Sequence, residues 1–405
     1  MPGVLAQDSP RARDIMDSLA VISRTFPFNT RLDAMTLQLP AEVAPTRTPD
    51  RATQTITVLD LFAGAGGLTE GFHSASDRYR VVRAVELDTA AAATFAATYG
   101  EDLVYRGGIE DWLRDDDIPH VDVIVGGPPC QGFSMLGNRD SEDRRNYLWQ
   151  EYAATILRAQ PKYFVVENVA AFAKSQQFRD FTEATQPDGL LRDYTFEWDI
   201  LNAADYGAFQ ARKRAILIGR HRDLPEVGLP APTHVSKHRT VSEAFKNIPP
   251  HVTETALPER RNDFFGVELP GAFRPFELHI GRQYSELSLE RFAHIPAGGN
   301  RFDIPDRLLA PCWRGHTSGS GDVMGRLRWN EPSVTIRTEF FKPEKGRYLH
   351  PFEDRAITHW EAAVLQGFPE THRFVGSKMA IARQIGNAVP IPLGRAIAHH
   401  LSKHL

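Results

Sequence analysis

The chain has 405 residues, room for about two or three domains around a large core. Its content of 42% hydrophobic and 24% charged residues excludes a disordered chain, a collagen-like fibre and a membrane-embedded bundle. The net charge of −4 hides a division: residues 1–205 hold 19 Lys and Arg against 31 Asp and Glu, residues 206–347 hold 22 against 16, and residues 348–405 hold 6 against 4. A polyanion is thus expected at the middle segment. No run approaches the roughly 18 apolar residues of a membrane span, and Asp8, Arg11, Arg13, Asp14 and Asp17 interrupt any signal peptide. A cytoplasmic protein without a membrane partner is expected. Cys130 and Cys312 cannot build a disulfide framework, and neither sits in a Cys-x-x-Cys pair, so no metal site is expected.

Residues 1–50 carry prolines, no recognisable motif and one short helical pattern around 15–22, and read as an extension of open role. From 55 the pattern changes to short apolar runs at 56–62, 81–85, 121–125, 163–166 and 215–218, alternating with helical stretches at 89–99, 146–159 and 175–185. This alternation predicts an α/β fold with a doubly wound, mostly parallel sheet. From about 225 the texture turns irregular, with Pro225, Pro230, Pro232, Pro249, Pro250, Pro258, Pro270 and Pro275, and a second, smaller domain is expected. Helical patterns return at 358–366 and 389–403, the latter opening near Pro390 and Pro392.

The first strand runs into Asp60-Leu61-Phe62-Ala63-Gly64-Ala65-Gly66-Gly67 and then a helix. Glycines there let the backbone turn sharply and approach a ligand at the helix N-terminus. Glu86 ends the second strand, where a carboxylate bonds ribose hydroxyls in doubly wound sheets. Together they point to a nucleoside site, and Thr69 in place of a third glycine disfavours NAD. The third clear strand ends in Gly126-Gly127-Pro128-Pro129-Cys130-Gln131-Gly132-Phe133-Ser134, a rigid turn displaying Cys130 as a nucleophile. The next strand delivers Glu167-Asn168-Val169, an acid placed to face that thiol. Gln210-Ala211-Arg212-Lys213-Arg214 precedes the 215–218 strand, and alternation puts Arg212 and Arg214 on one face, suited to a carbonyl, carboxylate or phosphate oxygen.

In this order these motifs, with Pro332-Ser333-Val334-Thr335-Ile336 and Gly386-Asn387-Ala388-Val389-Pro390, resemble the DNA cytosine-5 methyltransferase family, and the resemblance spans about 55–400. It implies an S-adenosylmethionine-binding, Rossmann-like catalytic domain over 51–240 and 349–405, and a target-recognition domain over 241–348, with double-stranded DNA between them. The cofactor contacts it implies are Phe62, Gly64, Gly67, Glu86, Pro129 and Asn387, and the catalytic residues are Cys130, Glu167, Arg212 and Arg214. Cys130 adds to cytosine C6, Glu167 holds the N3 and amino edge, and Arg214 bonds the O2 carbonyl of a base flipped out of the helix.

Two positions depart from the family. Gly107-Gly108-Ile109 stands where Asp-Ile is usual, leaving Glu110 or Asp111 to meet the adenine amino group, and Phe209 replaces the usual proline before Gln210. A transfer-RNA cytosine-5 methyltransferase shares the fold but typically carries a Cys-Phe-Thr tripeptide that is not found here. An inactive DNA-binding regulator would be expected to lose the cysteine or the acid, and both stand. A nicotinamide dehydrogenase leaves the later motifs unexplained. The expectation is a monomeric, stand-alone prokaryotic enzyme, the modification half of a restriction system.

Overall fold

The computed structural model describes residues 54–129, 148–315 and 320–405. The 1–50 extension and the helical pattern expected in it, Cys130 to Ser134, and His316 to Gly319 lie outside the described residues.

Among the described residues seven strands form one sheet: β1 (Ile56–Leu61), β2 (Tyr79–Glu86), β3 (Val104–Arg106), β4 (Val123–Gly126), β5 (Tyr163–Val169), β6 (Tyr194–Asn202) and β7 (Lys213–His221). Their spatial order is β3-β2-β1-β4-β5-β7-β6. β3, β2, β1, β4 and β5 run parallel, and β7 is antiparallel to both β5 and β6.

The apolar runs of the central strands follow from burial on both faces. Successive side chains alternate between two cores. Val58, Val123, Val125, Val165 and Ile216 enter one of them, and Leu59, Leu61, Ile124, Phe164 and Leu217 enter the other. The first face is covered by α1 (Gly67–Ala75) and α2 (Thr89–Tyr99), the second by α3 (Ile109–Asp115), α4 (Leu148–Ala159) and α5 (Gln176–Ala184).

The chain order reverses at β1 and β4, the switch point outside which ligands bind in open α/β sheets. Several elements lie beyond the sequence expectation, α3 among them. β3 is only three residues long, and β6 is an edge strand with Trp198 and Ile200 each 40% exposed. A helix also forms beyond α6 (Glu286–Ala293) and α7 (His359–Gln366), namely α8 (Lys378–Asn387), which holds Gly386 and Asn387 in its last turn. The final helix, α9 (Ile391–Leu401), starts two residues later than the pattern at 389–403, because Pro390 is its N-cap.

α9 returns to the first face and crosses α1. A Cβ on Gly71 would stand 2.8 Å from the Gly394 backbone, so the two helices meet glycine on glycine. The Tyr79 hydroxyl donates to the Ala398 carbonyl at 2.7 Å, tying β2 to the same helix.

Val241, Phe245, Phe273, Leu278, Leu327, Ile336 and Tyr348 share a core with Ile357, Leu365, Phe374 and Ile381. The hairpin β8 (Arg261–Phe264) and β9 (Val267–Pro270) places Phe264 in the core of the first sheet face. A separate small core gathers Phe292, Ile295, Ile304, Leu308, Met324 and Leu349. Among the described residues no helix is long and apolar enough to cross a membrane.

Candidate active site

The carboxyl ends of β1, β2, β4 and β5 lie side by side, with Leu61 beside Val85 and Gly126, and Gly126 beside Val166. Because β7 is antiparallel, its first residues reach the same edge, and Arg214 sits opposite Val169.

The loop after β1 turns through left-handed backbone at Phe62 (φ 56°), Gly64 (φ 56°) and Gly66 (φ 82°). Left-handed backbone at Phe62, a residue with a side chain, marks a conformation imposed by its surroundings. Open space surrounds Gly64, with no atom within 4 Å of where a Cβ would stand. Glu86 braces this loop: its Oε2 accepts from the Gly64 amide at 2.8 Å and its Oε1 from the Asp88 amide at 2.7 Å. Burial raises its pKa above the ordinary carboxylate value. Each oxygen keeps acceptor capacity for a ligand hydroxyl.

Gly67 opens α1 against the C-terminal segment, with the Val389 carbonyl oxygen 3.0 Å from the place of a Cβ. Asn387, exposed at the end of α8, immediately precedes that contact. Beneath the loop Asp60 is 1% exposed and accepts from the Thr69 hydroxyl at 2.6 Å. Burial pushes its pKa up to about 7. The Thr69 that breaks a dinucleotide glycine pattern is therefore the partner of a buried acid.

Sequence reasoning passed over Leu87, which is 72% exposed beside Glu86. An apolar residue directly after the strand-ending acid was the available signal. At the end of β3 the Gly107 amide donates to the Glu86 carbonyl at 3.0 Å. The Glu110 carboxylate folds back over Gly108, its Oε2 3.0 Å from where a Gly108 Cβ would be. Asp111 instead pairs with Arg114 at 2.8 Å on the exposed surface.

At the other half of the edge, Glu167 is 9% exposed and pairs with Arg214, Oε1 to Nε 2.7 Å. Its other oxygen lies 2.9 Å from the place of a Gly127 Cβ, so glycine at 127 leaves the carboxylate its space. The Asn168 amide donates to the Pro128 carbonyl at 2.9 Å, fixing the Pro128-Pro129 turn that leads to Cys130.

Arg212 lies just before β7, outside its alternation, and does not share its partner with Arg214. Its two terminal nitrogens donate to the carbonyls of Ile336 at 2.7 Å and Gly386 at 2.9 Å, and its Nε is buried without a partner. Burial, helped by neighbouring Arg214, brings its pKa down to about 9. Gln210 completes the knot, accepting from the Ile336 amide at 3.1 Å and donating to Gln366 at 2.7 Å. Phe209 accommodates its place before Gln210: its carbonyl accepts from the Ser333 amide, and the Arg239 guanidinium lies 3.9 Å from its ring centre. The Gln-x-Arg-x-Arg, Pro-Ser-Val-Thr-Ile and Gly-Asn-Ala-Val segments, far apart in sequence, are thus knitted into one support.

A glycine loop with a strand-end carboxylate at the switch point, beside an acid and arginine pair, places this edge among the ligand sites of doubly wound α/β enzymes. Within that class the chain belongs to the C-5 cytosine-specific DNA methylase family, whose model matches residues 56–403, and it is a DNA cytosine-5 methyltransferase. It is 33% identical over 359 residues to the type II methyltransferase M1.HphI of Haemophilus parahaemolyticus, covering 86% of this chain and 87% of that one. The type II methyltransferase M.XorII of Xanthomonas oryzae is 33% identical over 379 residues, with 86% and 84% covered. A solved Escherichia coli structure, assigned as a DNA modification methyltransferase encoded within a prophage, superposes with a TM-score of 0.64. Its identity is 25%, over 86% of this chain and 99% of that chain.

Proposed function

We propose that this enzyme uses S-adenosylmethionine to methylate C5 of a cytosine flipped out of a specific double-stranded DNA sequence, with Cys130 as nucleophile. The observation that carries the reading is the Glu167–Arg214 pair beside a Pro128-Pro129 turn held by Asn168. Cytosine C5 is a weak nucleophile, and addition of the Cys130 thiolate to C6 gives C5 enamine character. Glu167 donates to N3 and holds the amino edge, and Arg214 presents a guanidinium N–H to the O2 carbonyl while orienting Glu167. A base stacked in the duplex cannot reach these groups, so it is extruded first. S-adenosylmethionine supplies the electrophilic methyl group. Loss of the C5 proton and of the thiol then restores the aromatic ring.

The residues at the first half of the edge fit that cofactor. Glu86 has acceptor capacity left for ribose hydroxyls, Gly64 leaves open space, and Leu87 offers an apolar face. Phe62 and Gly67 belong to the same loop, and Pro129 and Asn387 complete the proposed cofactor site. Glu110, rather than Asp111, takes the place of the usual acid for the adenine amino group, since Asp111 is engaged by Arg114. Arg212, with both terminal nitrogens on backbone carbonyls, acts as a positioning residue for Arg214 and Glu167.

Target recognition falls within 241–348, centred on the small core around Phe292 and Leu308, and the remaining chain carries the chemistry. The type II relatives support a role in protecting DNA from a restriction partner. Bisulfite sequencing of plasmid DNA from expressing cells tests the reading and yields the target. The wild type is expected to methylate one sequence and to form a covalent adduct with DNA containing 5-fluorocytosine, whereas Cys130→Ser does neither. Unmodified plasmid and no adduct from the wild type would overturn it.

A further inference from the structure

The small core carries two buried arginines with an unusual set of partners. Arg326, 4% exposed, donates to the carbonyls of Phe292 at 2.8 Å, Ile295 at 2.7 Å, His350 at 3.0 Å and Glu353 at 2.6 Å, and pairs with Asp354. Arg347, 5% exposed, donates to the carbonyls of Gly298 at 2.8 Å, Gly299 at 3.0 Å, Arg326 at 2.9 Å and Gly321 at 2.9 Å, and pairs with Asp322 at 3.2 Å. The Arg326 amide also donates to the Gly299 carbonyl at 3.1 Å.

Buried guanidinium groups have to be fully engaged, and the planar fork of five donors accepts few arrangements of acceptors. Half of the eight main-chain acceptors, the carbonyls of Phe292, Ile295, Gly298 and Gly299, lie in the stretch 292–299. The two cations therefore specify the path of that backbone. On its outer side the turn exposes His294, Pro296 and Ala297. His294 neighbours Arg307, with 3.4 Å between Nε2 and the guanidinium, and Arg307, also paired with Glu290 at 2.6 Å, lines a groove with Asp306 and Arg314.

We propose that Arg326 and Arg347 are positioning residues for target recognition, holding the 294–300 turn as a rigid element that reads base edges while Arg307 and Arg314 meet the adjacent phosphates. The inference rests on the reading of this chain as a sequence-specific DNA methyltransferase. A preordered turn loses little freedom on binding and presents its side chains at one spacing, which is what discrimination between base edges requires. The groove arginines add affinity without choosing a sequence.

The test compares wild type with Arg326→Lys, Arg347→Lys, His294→Ala and Ala297→Glu by bisulfite sequencing of a plasmid library with randomised flanks around cytosines. Calorimetry of S-adenosylmethionine binding is the parallel readout. Lysine keeps the charge but cannot span four carbonyls. In both lysine variants the preference for the target over single-base variants is expected to fall about tenfold, within the range one base contact carries, while cofactor affinity is unchanged. His294→Ala and Ala297→Glu leave the buried clamp intact and are expected to alter the preferred base at one or more positions or to lower methylation of the original target. Should the lysine variants fail to fold, these two decide the matter. Turn variants with the wild-type sequence preference and rate would overturn the inference, as would lysine variants that slow methylation of all sequences equally. A wild-type protein that methylates no cytosine would overturn the methyltransferase reading, and this inference with it.

Discussion

On the proposed reading, Glu110 answers the departure from the family pattern at Gly108. Gly108 offers no side chain, and the carboxylate arrives from two residues further along, folded over the start of α3 to within 3.0 Å of the missing Cβ position. Glu110→Gln is expected to weaken S-adenosylmethionine binding by about 1–3 kcal/mol, the range for losing a charged acceptor from a hydrogen bond. Asp111→Asn, whose carboxylate pairs with Arg114 and stands 3.5 Å from the Gly108 Cβ position, further than Glu110, is expected to weaken it less. Calorimetric titration of both variants checks this, and equal losses would show that neither acid is specifically placed.

At the scale of elements, the decisive contact is the crossing of α1 and α9. The first helix opens from the glycine loop, and the last closes over it from the end of the chain. Gly71 and Gly394 bring the two backbones together with no room for a methyl group. Gly71→Ala gains about 1 kcal/mol of helix propensity, but overpacking costs about 1–3 kcal/mol because the neighbour is main chain. A net loss of up to about 2 kcal/mol follows from those two effects. It is read as a lower urea midpoint with unchanged slope, accompanied by weaker cofactor binding as Gly67 shifts against Val389.

For the whole molecule, buried titratable groups set the response to pH. His372 is fully buried against Phe368, Phe374 and Tyr99, with both ring nitrogens unpartnered, and burial brings its pKa down to about 3. Burial likewise brings His350 and His359 down to about 4. These histidines are held neutral when folded and gain a proton when unfolded, so stability present above pH 6.5 is lost as pH falls toward 4. Asp60 acts in the opposite sense, because burial favours its protonated form and stability falls as pH rises from 3.8 toward 7. Three histidines outweigh one acid on the low side. His372→Leu is therefore expected to lie within about 1 kcal/mol of wild type at pH 7 and to unfold at a higher temperature than wild type below pH 5. Melting curves from pH 4 to 8 measure it, and parallel acid slopes for the two proteins would remove His372 from that role.

What the sequence by itself determined is everything that depends on local periodicity and on contiguous motifs. Runs such as Val123 to Val125 alternate into two cores, the glycine loop must turn, and Glu86 and Glu167 end strands whose carboxyl ends share an edge. The α/β class was legible on those grounds, and the methyltransferase family from the resemblance that the ordered motifs carry. Only the tertiary structure decided what depends on residues distant in sequence meeting. Arg212 and Arg214, two apart, go to different partners because the Ile336 and Gly386 carbonyls lie beside one and Glu167 beside the other. β6 and α8 owe their places to neighbours rather than to their own patterns. The hairpin of β8 and β9 sends Phe264 into the first sheet face although its residues fall in the irregular stretch. Hydrogen bonds and packing between remote segments leave no periodic trace in the chain, so they are settled only when the chain is folded.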